Sequence, residues 1–231
     1  MEAKLGGQLW GMSMPPSGLM VVGLDVFHDP GRRNASWVAL VGSVNQQQTR
    51  YFSQACRQMP GEEAAHGVAL GMTKLLTAYR HVNNALPKKI IVFRDGLSGS
   101  QFRMSQEFEI KQIKEAFKAM SNGADYQPEL VFIVCVKRIG VRIFGLGSGG
   151  GGGGRSSRGP DQGGYSNPPP GTAVDRVIGE NNWYDFYLVS QAVRQGAVSP
   201  THYVVIEDTS RYSATQIQRL TWKFTHLVSY P

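Results

Sequence analysis

Two aspartates interrupt apolar runs in this 231-residue chain, and their placement decides how the rest is read. Asp25 lies inside Leu19-Met-Val-Val-Gly-Leu-Asp-Val-Phe27, and Asp95 ends Ile90-Ile-Val-Phe-Arg-Asp95. Each run is short, rich in β-branched residues and bounded by Gly, Pro or Lys, which predicts a buried strand. A carboxylate inside such a strand is costly unless a positive partner compensates it. Two of them from separate strands point to a shared divalent cation, the core of a metal-dependent phosphoryl-transfer site. Oxygen-only ligation suits hard ions, so Mg2+ or Mn2+ is expected rather than zinc. The blander reading makes Asp25 a buried, hydrogen-bonded carboxylate and Asp95 a turn residue before Gly96.

The elements that must position these residues follow in order. After Leu19–Phe27 come a turn-rich stretch, His28 to Asn34, and a second strand, Ser36–Ser43, making an antiparallel hairpin. His28 and Asp29 are read as turn residues. A third strand is expected around Arg50–Phe52. Val68, Met72, Leu75, Leu76 and Tyr79 recur at helical spacing after Pro60, with His66 and His81 on that helix's surface. Ile110, Ile113, Phe117 and Met120 mark a second helix, stopped by Gly123. Leu130–Val136 is apolar throughout, as a strand covered on both faces would be. Tyr184–Ser190 and His202–Glu207 read as paired strands. Ser213-Ala-Thr-Gln216 has capping-box spacing and opens a last helix with Ile217, Leu220, Phe224 and Leu227 on one face. A strand hairpin followed by alternating helices and strands is an α/β pattern, and carboxylates on its central strands fit a ribonuclease-H-like layout.

Composition narrows the partners. Lys and Arg number 24 against 17 Asp and Glu, a net charge of +7, which favours a polyanion. No acidic residue occurs from Leu130 to Pro160, where Lys137, Arg138, Arg142, Arg155 and Arg158 all fall. Cys56 and Cys135, the only cysteines, lie in unrelated contexts, as in a reduced intracellular protein. No apolar segment approaches the ~20 residues needed to span a bilayer, and the first residues lack a secretory h-region. A cytoplasmic or nuclear protein with no membrane partner is expected. Gly145 to Gly164 is a Gly/Ser tract with two arginines, read as a flexible insertion that cannot bury enough surface to order itself.

Several strings carry a resemblance. Lys4-Leu-Gly-Gly-Gln-Leu-Trp10, Gly23-Leu-Asp-Val-Phe-His-Asp29, Phe93-Arg-Asp-Gly96 and Val136-Lys-Arg138 resemble the Argonaute/Piwi superfamily, in order and at suitable intervals. Asn167-Pro-Pro-Pro-Gly-Thr-Ala-Val-Asp175 and the stretch from Tyr184 to Tyr203 are similar to its Piwi branch. An unrelated ribonuclease-H-like nuclease such as a resolvase would share the two aspartates but not these last two strings. The match spans nearly the whole chain outside the Gly-rich insertion. It implies a ribonuclease-H-like PIWI domain, a mixed central sheet flanked by helices. The expected divisions are the end of a MID/PIWI junction at 1–18, the core at 19–144, the insertion at 145–166 and the continuation of the domain at 167–231.

The family's catalytic set is Asp, Glu, Asp and His. Asp25 resembles the first Asp and Asp95 the second, both as metal ligands. The glutamate comes from the start of the intervening helix, where the phase of the apolar residues points to Glu63, with Glu62 the alternative. Helix-dipole complementation is the blander reading of either acid. The family's final His lies past Pro231, and neither His202 nor His226 matches it, so three of the four residues are present. In two-metal sites the ions sit ~3.5–4 Å apart, one activating water and one stabilising the leaving oxygen. Lys4 resembles a lysine that holds the guide 5′ phosphate, and Lys137, Arg138 and Arg142 are expected to line the same RNA channel, against the blander reading of a solvated basic edge. The implied partners are a small guide RNA, a complementary target RNA and silencing-complex proteins, with the chain itself a monomer. Two functions follow: a guide-directed, Mg2+-dependent endoribonuclease, or a non-cleaving guide-RNA-binding module. The second is favoured if the chain is a fragment lacking the His.

Overall fold

In a computed structural model, the structure describes residues 17–28, 36–58, 65–121, 125–146, 164–175 and 183–226. Of His28, Gln58, Ala65 and His66 only the backbone is described. Lys4, Asp29, Glu62, Glu63, Gly123, Arg155, Arg158 and Leu227 lie outside these residues, so the expectations placed on them have no structural counterpart here.

The first apolar run forms β1 (Leu19–His28), which pairs antiparallel with β2 (Ser36–Ser43). β3 (Tyr51–Gln58) pairs with β2 over its whole length, so the third strand runs well beyond the expected Arg50–Phe52. Its Ser53, Gln54, Arg57 and Gln58 hid it, because an edge strand needs no apolar alternation. α1 (Ala65–Asn83) buries Val68, Met72, Leu75, Leu76 and Tyr79, the face that the spacing predicts. β4 (Lys89–Asp95) returns parallel to β1. α2 (Phe102–Ala119) buries Ile110, Ile113 and Phe117, and β5 (Glu129–Val136) lies parallel to β4.

The chain then makes a two-stranded ribbon, β6 (Gly145–Leu146) with β7 (Tyr165–Ser166), where Phe144 and Tyr165 place their rings 6.1 Å apart. The two ends of the expected 145–166 insertion are therefore paired strands. A short strand missing from the sequence reading, β8 (Ala173–Asp175), and then β9 (Tyr184–Leu188) and β10 (Thr201–Asp208), rejoin the main sheet. α3 (Ala214–Phe224) follows, and its capping box forms as the spacing predicts: Ser213 Oγ accepts from Gln216 N while Gln216 Oε1 accepts from Ser213 N.

The strand order of the eight-stranded sheet is β3-β2-β1-β4-β5-β10-β9-β8. β1, β4 and β5 are parallel at its centre, and every other pairing is antiparallel. α1 and α2 cover one face, where Met20, Val22, Leu24, Ile90, Val92, Phe132 and Val134 alternate inward. α3 covers the other face over Ile91, Val131, Ile133, Phe186 and Tyr203, a cluster that reaches β1 only at Leu19 and Val21; farther along β1 and on β2 and β3 that face carries exposed residues. Gly23, Ala39 and Ala55 stand exposed there, with Phe27, Trp37 and Val41. Two glycines bring α1 close to the sheet. A Cβ on Gly71 would lie 2.6 Å from a Leu40 methyl, and one on Gly42 2.5 Å from the end of Met20. No described helix is long and apolar enough to cross a membrane, and Cys56 and Cys135 are both free.

Candidate active site

The parallel pairing of β1 with β4 sets the two aspartates side by side. The last paired positions are Leu24 and Arg94, and Asp25 and Asp95 are the next residue of each strand. Side chains alternate along a strand, so both aspartates point away from the α1/α2 layer, onto the face of Val21, Ile91 and Phe93. Adjacent strands lie ~4.8 Å apart, which places these carboxylates within reach of one small cation. Gly96 makes the turn after Asp95 with φ +84°, a left-handed conformation that glycine adopts without strain. A Cβ there would stand 3.7 Å from Asp25 Oδ1, an ordinary contact distance, so the turn lies beside Asp25.

The expectation that Asp25 is buried is corrected by the structure. It is exposed, because the buried cluster under α3 reaches β1 only at Leu19 and Val21, and its Oδ1 accepts from Val26 N at 2.8 Å. The open face continues over Gly23, where a Cβ would meet nothing within 4 Å. Asp95 is half-buried. Across the sheet the row runs Asp25, Asp95, Cys135, Tyr203, Phe186, from a charged, open end to an apolar, closed one.

Lys137 meets this row from the end of β5, with Nζ 2.6 Å from Asp95 Oδ2. That hydrogen bond raises the lysine pKa, against some loss from burial, and the charges of Asp95 and Asp25 raise it further. The pair is open to solvent, with the lysine side chain 64% and the aspartate 39% exposed, so it contributes only ~0–1 kcal/mol to stability. Cys135 sits between Asp95 and the core. Its thiol is pushed up to about 12, by burial first and the Asp95 charge second, which makes it unreactive at neutral pH.

Beneath Asp95 is a brace that the sequence reading missed. Arg94 points to the opposite face and is buried. Its Nε donates to both carboxylate oxygens of Glu109 at 3.0 Å, its Nη2 donates to Oε1 at 2.9 Å, and its Nη1 donates to the Asp95 carbonyl. Ser105 Oγ donates to Glu109 Oε2 at 2.6 Å. Helix α2 is thereby tied to the backbone of the second aspartate. A signal existed: an arginine within a buried strand requires an acid, and Glu109 stands beside the apolar face of the α2 pattern.

The other expected residues fall as follows. Arg138 is exposed in the segment after β5. Arg142, also exposed there, donates from Nη1 to the carbonyls of Ile139 at 3.0 Å and Val141 at 2.8 Å. Lys137, Arg138 and Arg142 all follow β5, whose C-terminal end lies beside the Asp95 end of β4. β3 ends at Gln58, in register with Ser36 and His28. Among the described residues, no group of three or more His, Cys, Asp and Glu is arranged to hold a metal. His202 stands apart from the aspartates, paired with Asp185 at 2.7 Å and stacked on Tyr187, and His226 packs edge-on to Trp222.

The central parallel strands, the flanking helices and the paired carboxylates at the strand ends define a ribonuclease-H-like domain, and the relatives of this chain agree. A Piwi domain family model matches residues 1–229, and the chain belongs to that family. It is 43% identical over 227 residues to the Piwi-like protein Ago3 of Bombyx mori, covering 98% of this chain and 23% of that protein. It is 39% identical over 227 residues to the Piwi-like protein 1 of Danio rerio, covering 98% and 25%. The chain thus spans about a quarter of the length of these relatives. A crystal structure of Drosophila Piwi superposes with a TM-score of 0.76 at 33% identity, over 96% of this chain and 28% of that one. One of Kluyveromyces polysporus Argonaute with a guide RNA gives 0.72 at 31% identity, over 87% and 23%.

Proposed function

We propose that this domain holds a small guide RNA and, within the longer protein, directs divalent-ion-dependent hydrolysis of a complementary target RNA. The observation that carries the reading is the register of β1 and β4, which sets Asp25 and Asp95 next to each other on one open face. The donor set fits Mg2+ or Mn2+: the oxygens are hard, the face is open toward Gly23, and a cation, the Lys137 ammonium, already rests on Asp95. Asp25 and Asp95 would hold the ion, with Glu63, or Glu62 in its place, completing the set. A bound ion supplies an activated water and charge neutralisation at the scissile phosphate. The chain's own residues hold the two carboxylates at fixed separation through the sheet, brace Asp95 through Arg94, and attract the RNA backbone through Lys137, Arg138 and Arg142. Lys4 is assigned to the guide 5′ phosphate by the family resemblance. Specificity comes from guide–target pairing, so the domain need not read base edges.

A second reading, guide binding without cleavage, draws on the Lys137–Asp95 ion pair, which opposes metal entry. A guide-loaded assay of the longer protein, with a complementary target and Mg2+ or Mn2+, separates the two. Cutting at one position that Asp95→Ala abolishes supports the nuclease. Guide binding without cutting supports the binding module, and cutting that survives Asp95→Ala contradicts the proposed site.

A further inference from the structure

Lys137 joins the basic segment to the carboxylate pair. Its Nζ lies 2.6 Å from an oxygen of Asp95 that a divalent ion would also need, and its side chain is 64% exposed. The residues that follow, from Arg138 to Phe144, belong to no helix or strand. An ammonium on a flexible four-carbon stem leaves an exposed carboxylate at little cost. An ion at Asp95 would repel that ammonium, because two like charges at contact distance oppose each other even in a well-solvated site.

We infer that Lys137 is an exchangeable counter-ion: it neutralises Asp95 when the carboxylates hold no metal, and a divalent ion entering the site releases it to an RNA phosphate. The inference rests on the reading of Asp25 and Asp95 as the metal site. Its consequence is positive coupling between metal and RNA through one side chain, with no backbone movement required. Coupling of this kind is reciprocal: the factor by which metal tightens RNA is the factor by which RNA tightens metal. Lys137 is a positioning residue in this scheme, and the RNA contact expected of it and the Asp95 pairing found in the structure become two states of one group.

The test uses the whole chain, with Mn2+ as the metal probe and a labelled, 5′-phosphorylated oligoribonucleotide as the RNA probe. Mn2+ affinity is measured by titration for wild type, Lys137→Met, Lys137→Arg and Asp95→Asn. RNA affinity is measured for each in Mn2+ and in EDTA. Lys137→Met is expected to bind Mn2+ up to about fivefold more tightly, the factor that corresponds to no longer having to break an exposed ion pair. Wild type and Lys137→Arg are expected to bind RNA several-fold more tightly in Mn2+ than in EDTA, and Lys137→Met to lose that gain. RNA affinity in wild type that is indifferent to Mn2+ overturns the inference, because the lysine then stays on Asp95. A gain retained by Lys137→Met also overturns it, since the ion would then bridge the phosphates itself. Mn2+ binding that Asp95→Asn leaves unchanged, or its absence from wild type, removes the metal-site reading and the inference with it.

Discussion

At the scale of single residues, a charged row is held at low structural cost. Asp95 and Lys137 form an exposed pair, so Asp95→Asn should change unfolding free energy by only ~0–1 kcal/mol while it abolishes site-specific Mn2+ binding. Denaturant unfolding and metal titration of the same variant check both halves, and a large loss of stability would make the aspartate structural. Cys135 gives a pH prediction. Its thiol rises from the ordinary range to about 12 in the folded protein, so the neutral form is favoured by folding. The thiol's contribution is therefore complete below the unfolded value of ~8.5 and is lost as pH rises from there toward the folded value. Cys135→Ala should flatten the decline of stability between pH 8 and 10 compared with wild type, as read from unfolding midpoints. An identical decline in both would show that the thiol titrates normally.

At the scale of elements, a buried ion pair between α2 and β4 keeps the site in place. The Arg94 and Glu109 side chains are only 6% and 15% exposed, and losing one partner leaves an uncompensated charge. Glu109→Ala should cost ~3–5 kcal/mol in denaturant unfolding and should also weaken Mn2+ binding, because the Asp95 backbone loses its tether to α2. An unchanged unfolding midpoint would show that the pair does not brace the strand. These elements were legible in the sequence to different degrees. The faces of α1, α2 and α3 could be read because each buries one stripe at helical spacing. β5 could be read because it is covered on both faces. Most of β3 and all of β8 could not, since an edge strand carries polar residues and a three-residue strand offers no period. The Asp25–Asp95 pair was legible as two acids in apolar runs. The Lys137 contact and the exposure of Asp25 depend on strand order and helix coverage, which no local pattern encodes.

At the scale of the whole molecule, the sheet is completed by strands on both sides of the Gly-rich tract. β6 and β7 bring Leu146 and Tyr165 side by side, so a short turn can close the gap between them. Replacing 147–163 with Asn-Gly should leave the thermal midpoint within a few degrees, because loop-closure cost varies only with the logarithm of length. A cooperative loss of stability would assign that tract a structural role. With a net charge of +7 and basic residues after β5, the proposed RNA binding should rest chiefly on phosphate contacts, and its affinity should fall as salt rises.

The central claim is that Asp25 and Asp95 share a divalent ion, and Mn2+ anomalous diffraction from crystals of this chain tests it most directly. An anomalous peak is expected between the two carboxylates, within coordination distance of both, with the Lys137 ammonium displaced from Asp95. A peak elsewhere, or Lys137 still resting on Asp95 with no metal beside it at saturating Mn2+, would contradict it.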